Sequence, residues 1–145
     1  MRAFYETEWL NIQFSSFAKL SSKIIAGPEF YDAFYCALFE KYANYISLPT
    51  DWRRNKDEIA DWLLVQMLDK SRVLSVGCGL GYMEQRLWQQ NAKGINLHVQ
   101  DFASESLRWL RQVIPTENLH NAGVGQVGEY DLIYLSAVDY SMTVC

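Results

Sequence analysis

The chain has 145 residues, half of them apolar and 21% charged, which suits one folded domain long enough to bury a core. Its formal net charge of -4 speaks against a general nucleic-acid binder, because neutralising phosphates takes a basic excess. Cys36, Cys78 and Cys145 are too scattered for a disulfide framework, Glu6 and Glu8 break any export signal, and no run nears the ~18 apolar residues of a membrane span, so a reducing, cytoplasmic setting is expected.

The first seventy residues carry helical spacing. Tyr5, Trp9 and Ile12, continued by Phe17, Leu20 and Ile24, form an apolar stripe at steps of three to five and predict a first helix. Gly27-Pro28 interrupts it, and Phe30, Phe34, Leu38, Tyr42 and Tyr45 form a second stripe that ends near Pro49. Asp51 is placed to cap a third helix, with Ile59, Leu63 and Met67 on its inward face. Arg53, Arg54 and Lys56 are the one tight basic cluster; Asp57, Glu58 and Asp61 follow, so it reads as a solvated helix start. Fourteen of the twenty-one aromatic residues fall in this region, which marks residues 1–70 as an N-terminal helical cap with an aromatic core.

From Ser71 the period changes. Val73 to Val76 reads as a buried strand, followed by glycines and a helix from about Tyr82 to Gln90 with Met83 and Leu87 facing inward. Lys93-Gly94 ends that helix, and Ile95, Leu97 and Val99 alternate with polar partners as a second strand. Ser104-Glu105 opens another helix through Leu107, Leu110 and Val113, closed by Pro115. A third strand is hard to place before Glu129, with only Leu119 and Val124 to anchor it; Asp131 to Ser136 reads as a fourth. Strand, helix, strand, helix, strand predicts an α/β fold: a partial Rossmann-like, doubly wound, mostly parallel sheet over residues 71–145, with the helical appendage before it.

The chemistry centres on Gly77, Gly79 and Gly81. A strand that enters a glycine-rich turn and then a helix brings bare backbone and a helix N-terminus against a ligand. Asp101 closes the second strand twenty residues after Gly81, where an acid can accept from ribose hydroxyls. Each residue also has a plain structural reading: Gly79 can serve a tight turn, Asp101 can cap the helix after it, and Phe102 can be core. A dinucleotide site prefers G-x-G-x-x-G, whereas position 82 is tyrosine and the spacing is G-x-G-x-G.

That spacing resembles motif I of the class I S-adenosylmethionine-dependent methyltransferases. Asp101-Phe102 before a helix start resembles their second motif, and Glu129 to Tyr134 resembles the run that introduces their fourth strand. The resemblance implies that Gly77, Cys78 and Gly79 pass the methionine portion of S-adenosylmethionine, with Gly81 also in the cofactor-binding loop. It implies too that Asp101 holds the ribose, Phe102 lies on the adenine, and Ser136 and Ala137 border the transferred methyl. Departures are Ser75 in the strand position where the family usually carries an acid, the compressed third-strand region, and a chain that stops after the fourth strand of a seven-stranded sheet.

Ending there leaves an apolar strand edge, for which three covers compete: a longer chain, a partner or second copy, and the N-terminal helices. The reaction implied is methyl transfer by in-line displacement at a sulfonium carbon, with a small-molecule or protein acceptor; catalysis then rests on proximity. Asp139, Tyr140, Tyr5 and Trp9 are candidates near the substrate, and no catalytic residue is assigned. The alternative is a non-catalytic cofactor-binding or scaffold protein that keeps the fold; a nicotinamide or flavin protein is a third reading. His98 and His120 lack ligand spacing, so no metal is expected.

Overall fold

The computed structural model of the protein describes residues 7–19, 26–122 and 128–135. Glu8–Trp9 (β1) and Ile12–Gln13 (β2) form a small antiparallel hairpin. Its turn residues Leu10 and Asn11 both have positive φ, 49° and 60°, the mirror-image turn that matches strand twist. A 3-10 turn, Phe14–Ser16, follows. The expected first helix is therefore absent over these residues, while Tyr5, Leu20 and Ile24 lie outside the described ones. The misreading has a geometric cause. Trp9 and Ile12 are direct partners across the hairpin, and residues three apart share a side both there and on a helix.

The second and third helices form where the spacing places them. Pro28–Lys41 (α1) starts after Gly27 with proline in its first turn, and buries Phe34, Tyr35 and Leu38. The hairpin packs on it: the Trp9 ring stacks 5.0 Å from Phe34, and the Tyr42 hydroxyl donates to the Leu10 carbonyl at 2.9 Å. Thr50–Gln66 (α2) is preceded by Pro49 at the cap position, so Asp51 sits inside the first turn without a capping hydrogen bond. There its carboxylate still meets the favourable end of the helix dipole. Of the expected inward face, Met67 is buried and Leu63 packs against the core, whereas Ile59 is 36% exposed and its neighbour Ala60 is the buried residue.

Five further elements build the main sheet: Arg72–Val76 (β3), Tyr82–Gln89 (α3), Asn96–Gln100 (β4), Leu119–His120 (β5) and Leu132–Leu135 (β6). All four strands are parallel, in the order β5-β4-β3-β6. The chain fills one side of β3 with β4 and β5, then returns to place β6 on the other side. Strand order thus reverses at β3. The helix expected after Ser104 is replaced by two 3-10 turns, Ser104–Leu107 and Leu110–Gln112. Side chains compete for the backbone there: Ser106 Oγ donates to the Ala103 carbonyl at 2.7 Å, and Arg111 donates to the Ser104 carbonyl at 3.0 Å. Leu107, Leu110 and Ile114 are buried all the same.

Both faces of the central strands are covered. Val73, Leu97, Val99 and Tyr134 join Ala60, Met67, Met83 and Leu87 in the larger core. On the other face Leu74 and Val76 pack with Ala122 and Tyr130. The alternation in the second strand marks His98 and Gln100 only as polar partners of Leu97 and Val99, but they are buried too. His98 Nδ1 lies 2.8 Å from His120 Nε2, with the Tyr130 ring beside it and Arg72 over that ring. Among the described residues β6 pairs with β3 alone, and Ile133 and Leu135 are half exposed on it. The N-terminal helices are engaged elsewhere, α1 with the 104–107 turn and α2 with α3. No helix among the described residues is long and apolar enough to cross a membrane.

Burial holds both imidazoles of the histidine pair below their ordinary value, with His120 and Arg72 adding to the effect on His98 and Arg72 to that on His120. The neutral rings are therefore favoured in the fold. Their contribution to stability is complete above about pH 6.5 and is lost as pH falls through the lower folded values. Thermal unfolding between pH 8 and pH 5 checks this: a His98→Gln/His120→Gln double variant should gain stability relative to the parent progressively as pH falls below about 6.5.

Candidate functional site

β3 ends at Val76, and residues 77–81 turn the chain into α3 at the carboxyl ends of the strands. Gly81 occupies the N-cap position of α3 with φ of 76°, and Gly79 has φ of 60°. Both values lie in the left-handed region that side chains disfavour. Space adds a second constraint. A Cβ on Gly79 would stand 2.8 Å from the Tyr35 hydroxyl, and one on Gly81 would run into the Leu110 side chain. The closeness these two glycines permit is thus already used within the protein, by α1 above and the 110–112 turn below.

The loop amides are engaged as well. Gly77 N–H donates to Gln100 Oε1 at 3.1 Å, and Cys78 N–H to the Gln100 carbonyl at 3.0 Å. Gly79 N–H donates to Asp101 Oδ2 at 2.9 Å, and Gly81 N–H to the Cys78 carbonyl at 3.1 Å. Gln100 also donates through Nε2 to the Ala122 carbonyl, which ties the loop across to the strand beyond. Sequence reading singles out Asp101 but passes over Gln100, because simple alternation marks it only as a polar partner of Val99.

Asp101 therefore faces the glycine loop. Its other oxygen, Oδ1, accepts from the Ala103 amide at 2.9 Å, so the residue also serves the local turn. Each carboxylate oxygen holds one amide and the Ser106 hydroxyl adds to them, which leaves part of the acceptor capacity of this 4% exposed residue. Burial pushes the carboxyl above its ordinary range, while the Ala103 and Gly79 amides pull the other way. Phe102 is not core: it is 39% exposed, with its ring 5.5 Å from Tyr31 on α1. Ser136, Ala137, Asp139, Tyr140 and Tyr5 lie outside the described residues. Trp9 is held in the aromatic cluster on α1.

α1 lies along this end of the sheet. Asp32 Oδ1 accepts from the Glu105 amide at 3.0 Å, Tyr31 meets Phe102, and Tyr35 reaches Gly79. Just past α1, the Tyr45 hydroxyl donates to the Leu80 carbonyl at 2.6 Å. The cap is in this way bonded to the loop it covers.

Beneath the loop sits a buried polar cluster. Glu84 Oε1 accepts from Ser75 Oγ at 2.6 Å and from the Tyr134 hydroxyl at 2.8 Å. Glu84 and Ser75 are each 1% exposed. Burial raises the Glu84 carboxyl above its ordinary range, against the hydrogen bonds from Ser75 and Tyr134. Glu84 falls three residues before Leu87 on the apolar face of α3, and a carboxyl at core spacing was the signal available in the sequence. Burial, then Glu84 and Asp101, push the Cys78 thiol well up, which favours its protonated form.

Among the described residues, no three His, Cys, Asp or Glu side chains gather as a metal site needs. Two open depressions lie toward the amino ends of the strands, away from the loop. One is lined by Asp61, Leu64, Val65, Gln90 and Lys93, the other by Arg72 and residues 129–131. Compared with protein-family models and with curated proteins, the chain matches none.

The two glycines separate in their expected sensitivity. Gly81→Ala meets a left-handed penalty of about 1–2 kcal/mol and overpacking against Leu110 of about 1–3 kcal/mol, so urea unfolding should show a loss of roughly 2–5 kcal/mol. Gly79→Ala should lose less in a Tyr35→Phe background than alone, because the hydroxyl that crowds it is gone.

Proposed function

We propose that this chain binds S-adenosylmethionine through residues 77–81 and Asp101, as the cofactor-binding part of a methyltransferase for a small-molecule or protein acceptor. The parallel sheet, its order reversal at β3 and the glycine loop at the carboxyl end of that strand fit a Rossmann-like arrangement, whose ligands bind at such a reversal.

One observation carries the choice of ligand. The amides of Gly77, Cys78, Gly79 and Gly81 are all donated inside the protein. A pyrophosphate takes amides of such a loop as well as of the helix N-terminus, so with these four engaged a dinucleotide is left with fewer donors. A nucleoside without phosphate needs only bare backbone to lie against and an acceptor for its ribose, and Asp101 retains acceptor capacity beside Gly79. When bound, the cofactor supplies a methyl group on an activated sulfonium. The chain's own task is then orientation and exclusion of water, for which α1 over the loop is suitably placed.

A second reading rests on a specific contact. Tyr35 and Leu110 occupy the space that Gly79 and Gly81 leave open, which favours a scaffold that keeps the fold without turnover.

Calorimetry with S-adenosylhomocysteine, S-adenosylmethionine and NAD tests both. The first two should bind and NAD should not. Gly79→Val should abolish binding, and Asp101→Asn should weaken it about ten- to a hundredfold, the worth of hydrogen bonds to a charged acceptor. Tyr35→Phe should leave affinity unchanged or raise it. Binding with no transfer of labelled methyl to a small-molecule or protein fraction selects the scaffold; binding of NAD alone removes the methyl-donor reading.

A further inference from the structure

The Glu84 cluster has no part in contacting a ligand, yet its position relative to the loop is informative. Ser75 stands two residues before Gly77 on β3, and Glu84 three residues after Gly81 on α3. A single oxygen, Glu84 Oε1, accepts from Ser75 and also from Tyr134 on β6. It therefore joins the strand that enters the loop, the helix that leaves it, and the strand across the order reversal. All three side chains are buried, at 1%, 1% and 8% exposure for Ser75, Glu84 and Tyr134. None of the ion pairs among the described residues involves Glu84. A buried carboxyl without a cationic partner is an expensive way to fill space, and an apolar residue of similar volume generally serves packing better.

We propose that Glu84 is a positioning residue for the glycine loop, bracing β3, α3 and β6 around it through Ser75 and Tyr134. The inference rests on the S-adenosylmethionine reading. In that reading Asp101 holds the ribose, and the amino-acid portion passes residues 77–79. The brace acts on the second part of the ligand and not on the first. It sets the height of residues 77–81 above β3 and β6 by fixing both ends of the loop. Gln100 and Asp101 fix its middle from β4.

The test compares two probes, S-adenosylhomocysteine and adenosine, which lacks the amino-acid portion. Calorimetry is done on the parent chain and on Glu84→Gln, Glu84→Leu and Ser75→Ala, with circular dichroism to verify folding. Glu84→Gln keeps an acceptor oxygen and should bind both probes within about threefold of the parent. Glu84→Leu should weaken S-adenosylhomocysteine at least tenfold and adenosine less than threefold. Ser75→Ala, the milder change should Glu84→Leu not fold, should shift the same ratio severalfold. Equal weakening of both probes, or none, overturns the proposal. If the parent binds neither probe, the cofactor reading fails by itself, and the brace is judged by amide hydrogen exchange. Residues 77–81 should exchange faster in Ser75→Ala and Glu84→Leu but not in Glu84→Gln; unchanged exchange in all three overturns the brace.

Discussion

The hydrogen bond from the Gly79 amide to Asp101 is the interaction on which the site depends, because it fastens the loop after β3 to the end of β4. The loop cannot be stiffened by side chains of its own. Gly79 and Gly81 hold left-handed backbone and press against Tyr35 and Leu110, so a Cβ is excluded at both. Rigidity is delivered from outside instead: Gln100 and Asp101 from β4, Tyr45 from beyond α1, and Glu84 from α3. Parallel pairing makes this possible. With β3 and β4 in register from Arg72↔Asn96 to Val76↔Gln100, the residues that follow each strand emerge side by side.

Three of the four strands of the sheet are legible in the sequence because their signals are local; the two-residue β5 is not. The apolar run at residues 73–76, the glycines, the α3 stripe and Asp101 each state their own role, and together they place the site at the first crossover. The N-terminal hairpin was not legible, since Trp9 and Ile12 satisfy helical and hairpin spacing equally. The turns after Ser104 were missed because side-chain bonds to backbone carbonyls outcompete the helix that the apolar stripe suggests. The burial of His98 and Gln100 is not legible in the alternation, which marks them only as the polar partners of Leu97 and Val99. This sheet buries both faces of β4, as parallel sheets do.

The least legible part of the site is what lies over it. Nothing in the residues of α1 says that Tyr31, Asp32 and Tyr35, from the first two turns of an aromatic helix, meet Phe102, Glu105 and Gly79. Those contacts are tertiary, and the core spacing of Phe34 and Leu38 only fixes which side of the helix faces the protein. The same limit applies to Glu84, whose partners Ser75 and Tyr134 come from two different strands.

The two functional readings differ in one quantity, the free energy needed to lift α1 from the loop. An aromatic pair such as Tyr31 with Phe102 contributes about 0.5–1.5 kcal/mol beyond its buried area. A hydrogen bond such as that from the Glu105 amide to Asp32 adds about 0.5–1.5 kcal/mol, somewhat more for a charged acceptor. To these is added the apolar core that Phe34, Tyr35 and Leu38 of α1 share with Leu80, Ala103 and Trp109, at about 1.5–3 kcal/mol per buried side chain, so the lifted form is a small fraction of the molecules. Apparent affinity for a nucleoside falls by that same fraction. Contacts remade between α1 and the bound ligand would recover part of the loss. In the enzyme reading the cap reseats on its cofactor; in the scaffold reading Tyr35 itself is the permanent occupant of the crevice.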